Sequence, residues 1–109
     1  MQIGERVSDN VFVIEPKERL TAETEPAFAS YFVRLLEAGY RQFALSLAGV
    51  PYIDSMGLGA IVRAYTAARA CGGDLRLVDV EGRNRRLLEM TRLLTILNVD
   101  RSELEVTRQ

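Results

Sequence analysis

The sequence predicts a single α/β domain, on three observations. Short β-branched runs alternate with amphipathic helical stretches in the order β-β-α-β-α-β-α-β. Strands separated by helices pair in parallel through crossovers, which is the signature of an α/β sheet. The chain has 109 residues, and no Pro/Ser linker, low-complexity tract or internal repeat divides it. Residues 1–109 therefore read as one domain of ordinary size.

Each element has its own sequence signal. Ile3 to Val7 reads as a weak strand, Ser8-Asp9-Asn10 as a turn, and Val11-Phe12-Val13-Ile14 as a second strand, so the chain opens with a hairpin. Pro16 ends that strand. Thr21-Ala22-Glu23-Thr24-Glu25-Pro26 supplies caps, first-turn acids and a first-turn proline for a helix. Phe28, Phe32, Leu35 and Leu36 recur at i, i+4, i+7 and i+8 along it, and Gly39 closes it. Gln42 to Leu47 is the next strand, with Phe43, Leu45 and Leu47 on one face. Gly49-Val50-Pro51 interrupts it and Tyr52-Ile53 resumes an extended run. A second helix follows Asp54-Ser55, with Leu58, Ile61, Val62, Tyr65 and Ala68 as its apolar stripe, and Gly72-Gly73 stops it. Leu75 to Val80 is a strand. Arg83 to Leu94 reads as a third helix with Leu87, Met90 or Thr91, and Leu94 inward, and Ile96 to Val99 as a final short strand.

Composition excludes several chemistries. The chain is 48% hydrophobic and 27% charged, which is globular composition. A chain of this length buries about two-thirds of its unfolded surface, so no disulfide or metal is needed to hold it. There is no histidine, which removes Ser-His-Asp and Cys-His nucleophilic catalysis and histidine-ligated zinc. The single cysteine, Cys71, cannot form an internal disulfide or a multi-cysteine metal site, and is expected to be a small buried apolar residue. Tyr31, Tyr40, Tyr52 and Tyr65 are expected at the rim of the core. Fourteen Lys and Arg face fifteen Asp and Glu, a net charge of -1, which gives no footprint for nucleic acid or an anionic membrane. Arg83-Asn84-Arg85-Arg86 with Arg92 reads as a solvated helix face balanced by glutamate. The first six residues lack a secretory apolar run, and no stretch approaches the roughly 20 apolar residues of a membrane span. The expectation is a cytoplasmic protein with no cofactor and no catalytic activity.

The informative segment is Tyr52-Ile53-Asp54-Ser55-Met56-Gly57-Leu58-Gly59. A strand ends, an acid and a serine follow, and a helix begins with two glycines. Glycine inside a helix costs about 0.5–1 kcal/mol relative to alanine, so two at one helix start need a reason. A bare terminus that something approaches closely would be one, because the first N–H groups have no intrahelical partner and carry the positive end of the dipole. Ser55 is expected as the N-cap, at the surface, where a phosphate would be tolerated electrostatically. Gly57-Leu58-Gly59 is not a dinucleotide fingerprint, since Val62 occupies the third glycine position. No Gly-Lys-Ser/Thr follows as a P-loop requires, and a hydrolase elbow lacks its histidine.

This string closely resembles the signature of STAS domains of the anti-anti-sigma factor type. The resemblance covers nearly the whole chain, including Gly72-Gly73-Asp74-Leu75 and Leu87-Leu88-Glu89-Met90-Thr91. It implies an α/β STAS fold: a mixed four- to five-stranded sheet with helices mainly on one face. It also implies a partner-switching function, that of an anti-sigma factor antagonist. The serine after the aspartate is phosphorylated by an anti-sigma factor serine kinase and reset by a PP2C-type phosphatase, and the unphosphorylated form binds the anti-sigma factor. That role falls on Ser55. Asp54, Met56, Gly57, Gly59 and Thr21 fall on the partner-binding surface, formed by the start of the second helix and the loop Pro16–Thr21, and no metal or nucleic acid is implied. Leu58 is expected in the core and Met56 outward.

Two positions depart from the family pattern. Glu18-Arg19-Leu20-Thr21 stands where many members have Gly-x-Leu-Asp, and Ser46-Leu47-Ala48 where many have Asp-Leu-Ser. Two negative charges near the serine are thereby lost. An alternative reading follows: a phosphorylation-independent STAS interaction module, as a stress-signalling scaffold or a lipid-transport subunit. A weak homodimer is compatible with either reading.

Overall fold

In the computed structural model of the protein, which describes residues 1–93 and 97–99, two left-handed residues set the first hairpin. Asp9 (φ 50°) and Asn10 (φ 66°) form the two-residue turn between β1 (Ile3–Ser8) and β2 (Val11–Pro16). Positive φ at both central residues matches the twist of the flanking strands. Asn and Asp tolerate that region better than other side chains. The strands pair antiparallel from Ile3↔Pro16 to Ser8↔Val11.

From β2 onward every pairing is parallel. After β2 the order is α1 (Glu25–Glu37), β3 (Gln42–Ser46), α2 (Ser55–Ala70), β4 (Asp74–Val78), α3 (Gly82–Met90) and β5 (Asn98–Val99). Among the described residues the sheet has five strands in sequential order. β2 pairs with β3, β3 with β4, and β4 with β5. Sequential parallel strands joined by crossovers of one hand place their helices on the same face. One cluster accordingly holds Phe12, Ile14, Phe43, Leu45, Leu75 and Leu77 from the strands together with residues of all three helices. These are Phe28, Phe32 and Leu35 of α1, Ala60, Ile61, Ala64 and Ala68 of α2, and Leu88 of α3. Phe32 meets Phe43 with ring centroids 4.7 Å apart, which seats α1 on the sheet. The opposite face carries a smaller cluster of Val13, Ala44 and Val78. β1 is an edge strand with Glu5, Arg6 and Val7 exposed. Tyr31 of α1 donates a hydrogen bond to Glu5. Burial, then that carboxylate, pushes the Tyr31 phenol above its ordinary range.

Several element boundaries and faces differ from the sequence expectation. The strand expected over Leu75–Val80 ends at Val78, because Asp79 turns left-handed at φ 57°. The third helix ends at Met90 rather than Leu94, and Arg92 turns left-handed at φ 61° just beyond. Its inward residues are Asn84 and Leu88, while Leu87 is half-buried, Thr91 is exposed and Met90 is 82% exposed. The expected stripe ran through Leu87, Met90 or Thr91, and Leu94, about a quarter turn from the face that Asn84 and Leu88 bury. α2 buries Gly57, Ala60, Ile61, Ala64 and Ala68, and Leu58, Val62 and Tyr65 are only half-buried. Alanine allows closer approach than the larger residues of the expected stripe. Leu58 still packs against the core, as expected. Cys71, expected buried, is exposed, because it is the C-cap of α2 and lies past the last buried turn. Tyr31 and Tyr65 border the core, and Tyr40 lies at its rim with its ring centroid 4.6 Å from that of buried Phe12, whereas Tyr52 is exposed. Leu94, Ile96 and residues 100–109 lie outside the described residues.

Core burial fixes a quantitative expectation. Leu45 is fully buried, so Leu45→Ala is expected to cost about 2–5 kcal/mol in chemical denaturation. Met90→Ala is expected to stay within about 0.5 kcal/mol of the parent. A large loss at Met90 would restore the expected helix phase.

Candidate functional site

The site begins with two backbone segments that pair outside the sheet proper. Leu20, between β2 and α1, forms a parallel bridge with Ile53, between β3 and α2. Leu20 N–H donates to the Tyr52 carbonyl at 3.0 Å, and Asp54 N–H donates to the Leu20 carbonyl at 3.1 Å. Both side chains are buried, so apolar packing and two backbone bonds hold the connections together. Farther back, the Asn84 amide Nδ2 donates to the Val50 carbonyl at 2.7 Å. The start of α3 thus braces the same connection.

Asp54 then closes the junction. It is the N-cap of α2, with extended backbone at φ -97° and ψ -177°. One carboxylate oxygen, Oδ1, accepts from Gly57 N–H at 2.9 Å. The other, Oδ2, accepts from Ala22 N–H at 3.0 Å. One side chain therefore caps a helix and ties down the neighbouring loop. The hydrogen bond from Gly57, followed by lesser backbone bonds that include the one from Ala22, holds the Asp54 carboxyl below its ordinary value.

This arrangement corrects the expected cap. Ser55 is not the N-cap but the first residue of α2, and it is exposed. The Asp54 side chain reaches both α2 and the distant Ala22 loop, whereas a serine at that position has a single oxygen. With the cap supplied by Asp54, the Ser55 hydroxyl makes no hydrogen bond to another described residue.

The two glycines have different surroundings. Gly57 is buried, and a Cβ on it would lie 2.0 Å from the Leu20 carbonyl oxygen. What approaches this helix start is the chain's own backbone. Gly59 faces a flexible side chain: its Cβ would lie 3.1 Å from Arg63 Nη1. Around Ser55 the exposed surface includes Met56 (49%), Tyr52 (41%) and Ala22. Met56 is outward, as expected. Thr21 is buried, at 9% exposure, and its N–H donates to Thr24 Oγ1 at 3.0 Å. Of the sequence candidates, Asp54, Ser55, Met56, Gly57 and Gly59 share the start of α2, while Thr21 sits beneath the loop surface.

Ser46 departs from the family pattern with a partner of its own. It is buried, and its hydroxyl donates to Asp79 Oδ2 at 2.8 Å. A carboxylate is thus present at this strand end, supplied by the neighbouring connection. Ala22 and Asn84 belong to the site without a signal in the sequence, whereas Leu20, an apolar residue in a polar loop, lies in the Pro16–Thr21 segment expected on the recognition surface. Arg83, Arg85 and Arg86 are exposed as expected, with Arg85 paired to Glu89 at 3.4 Å.

A mixed sheet with its helices on one face, and a carboxylate-capped helix that begins with an exposed serine, define a particular class of small α/β domain. The chain belongs to the STAS domain family, whose profile matches residues 3–106. A Thermotoga maritima protein named as a candidate anti-sigma factor antagonist is 30% identical over 95 residues, covering 86% of this chain and 84% of that one. The anti-sigma-B factor antagonist of Staphylococcus aureus is 26% identical over 100 residues, covering 92% and 93%. A crystal structure of a Thermotoga maritima protein of the same description superposes with a TM-score of 0.89 at 28% identity, covering 98% of this chain and 95% of that one. The phosphorylated form of SpoIIAA from Bacillus shares the fold, with a TM-score of 0.74 at 15% identity and 98% of each chain covered. No described helix is long and apolar enough to cross a membrane.

Two expectations follow from the junction. Gly57→Ala is expected to destabilise the protein by about 1–3 kcal/mol, because the Leu20 backbone must move. Gly59→Ala is expected to stabilise it by about 0.5–1 kcal/mol, because Arg63 can yield. Thermal denaturation of both variants reads the contrast, and equal effects would contradict the packing. The second expectation concerns pH. A depressed Asp54 pKa stabilises the fold above the unfolded-state value, and this contribution is lost as pH falls through the folded value. Stability should therefore decline below about pH 4, with a shallower decline in Asp54→Asn. Parallel acid-denaturation curves would show that the clamp is absent.

Proposed function

We propose that the protein is an anti-sigma factor antagonist that switches partners through phosphorylation of Ser55. The names of its relatives support antagonist function. The observation that carries the switch is the position of Ser55. It is exposed at the first turn of α2, and its hydroxyl is released from capping by Asp54. A phosphate there adds about -1.5 to -2 charges at a helix start, on the surface that Met56, Tyr52 and Ala22 flank. It alters what a partner meets and leaves the cap in place.

In this reading the unphosphorylated protein binds an anti-sigma factor that is itself a serine kinase, and a PP2C-type phosphatase restores the binding form. Asp54 and Gly57 position the serine, Met56 and Gly59 belong to the contact surface, and Thr21 supports the adjoining loop from beneath. The chain acts as a regulator in the cytoplasm and performs no reaction of its own.

Incubation with the cognate kinase and ATP, followed by mass spectrometry, is expected to place one phosphate on Ser55, and Ser55→Ala to abolish it. Ser55→Asp is expected to weaken binding to the anti-sigma factor by about tenfold or more, a change of about 1.4 kcal/mol. Its stability should stay within about 0.5 kcal/mol of the parent. Labelling elsewhere would overturn the switch. Binding indifferent to Ser55→Asp would identify a phosphorylation-independent interaction module instead.

A further inference from the structure

Ser55, Gly59 and Arg63 lie at i, i+4 and i+8 on α2, so they follow one another along one face of the helix. Helical side chains lean toward the N-terminus, and Arg63 does so across Gly59. Its Nη1 lies 3.1 Å, and its Nη2 3.8 Å, from the place a Gly59 Cβ would occupy. The guanidinium therefore rests in the notch left by a missing side chain, one helical turn from Ser55. Nη2 donates to Glu25 Oε1 in the first turn of α1 at 2.9 Å. Glu25 is the carboxylate that engages it among the described residues. The Arg63 side chain remains 59% exposed against 18% for Glu25. Arginine has five N–H donors in a fixed fork, and Glu25 uses only part of that capacity. Asp54, the carboxylate next to the serine in the chain, is already occupied by the N–H groups of Gly57 and Ala22.

We propose that Arg63 is the intramolecular partner of the phosphate on Ser55, a role that rests on the phosphorylation reading above. The phosphate dianion competes with Glu25 for the guanidinium, or shares its fork, and is drawn down along α2 over Gly59. Gly59 is then a positioning residue, since a larger side chain would block the path between the two groups. Arginine suits this role because its fork matches phosphate geometry. Arg63 thereby sets how much of the added charge an approaching partner meets.

The test does not require a kinase. Phosphoserine is installed at position 55 of the full chain through an expanded genetic code, and the phosphate is titrated by phosphorus NMR at low ionic strength. Arg63→Ala is expected to raise the phosphate's second pKa by roughly 0.2–0.7 unit, the range that an exposed ion pair gives. Arg63→Lys is expected to fall between the two, and the difference to shrink in high salt. Arg69→Ala, on the same helix but farther from Ser55, is expected to leave the value unchanged. A pKa indifferent to Arg63, or moved equally by Arg69, would overturn the proposal. As a second readout in the unsubstituted chain, the Arg63 Nε–H resonance is expected to shift when phosphoserine replaces serine, and its invariance would also overturn the proposal. Absence of kinase labelling at Ser55 would defeat the switch reading instead, so the two failures are distinguishable.

Discussion

The site depends on one carboxylate that holds two pieces of backbone at once. Asp54 accepts from Gly57 N–H at the start of α2 and from Ala22 N–H in the loop before α1. These segments are far apart in sequence and come from different crossovers. Their meeting requires a close approach, and Gly57 provides it by having no side chain where the Leu20 carbonyl comes in. The Leu20–Ile53 bridge completes the junction. Cap, bridge and glycine are mutually dependent. A longer residue at 57 would push Leu20 away and carry Ala22 out of reach of Asp54.

The same interaction explains the state of Ser55. A helix has a limited number of free N–H groups at its start, and a capping side chain takes up one of them. Because Asp54 does this, the adjacent serine carries no structural duty and remains at the surface. Support and exposure are thereby separated: the cap and the loop tie rest on Asp54, and the Ser55 side chain is left at the surface.

The charge pattern around the serine differs from the one that the STAS resemblance implies. Thr21 and Ser46 stand where acids are usual, yet Ser46 bonds to Asp79 from the neighbouring connection. That strand end thus carries a polar link between two different connections. On the other side, Arg63 brings a cation along α2, held by Glu25. The serine follows an occupied carboxylate, and the clipped arginine stands eight residues farther along the same helix. That setting is more tolerant of an added phosphate than an acidic one would be.

Sequence alone determined the order of elements, the hairpin and the strand faces, because these follow from local periodicity and turn chemistry. Phe43 and Leu45 alternate as a strand requires, and Asp9-Asn10 supplies the left-handed turn. It also singled out Asp54 to Gly59 as the candidate site, since two glycines at a helix start are costly enough to stand out. Tertiary structure alone decided which residue caps α2, because that choice depends on Ala22, thirty-two positions away in the chain. It decided what Gly57 makes room for, and that Met90 and Cys71 face outward while Leu88 and Asn84 face inward. The phase of a short helix is set by the surface it packs on, and that surface is assembled only when the strands come together.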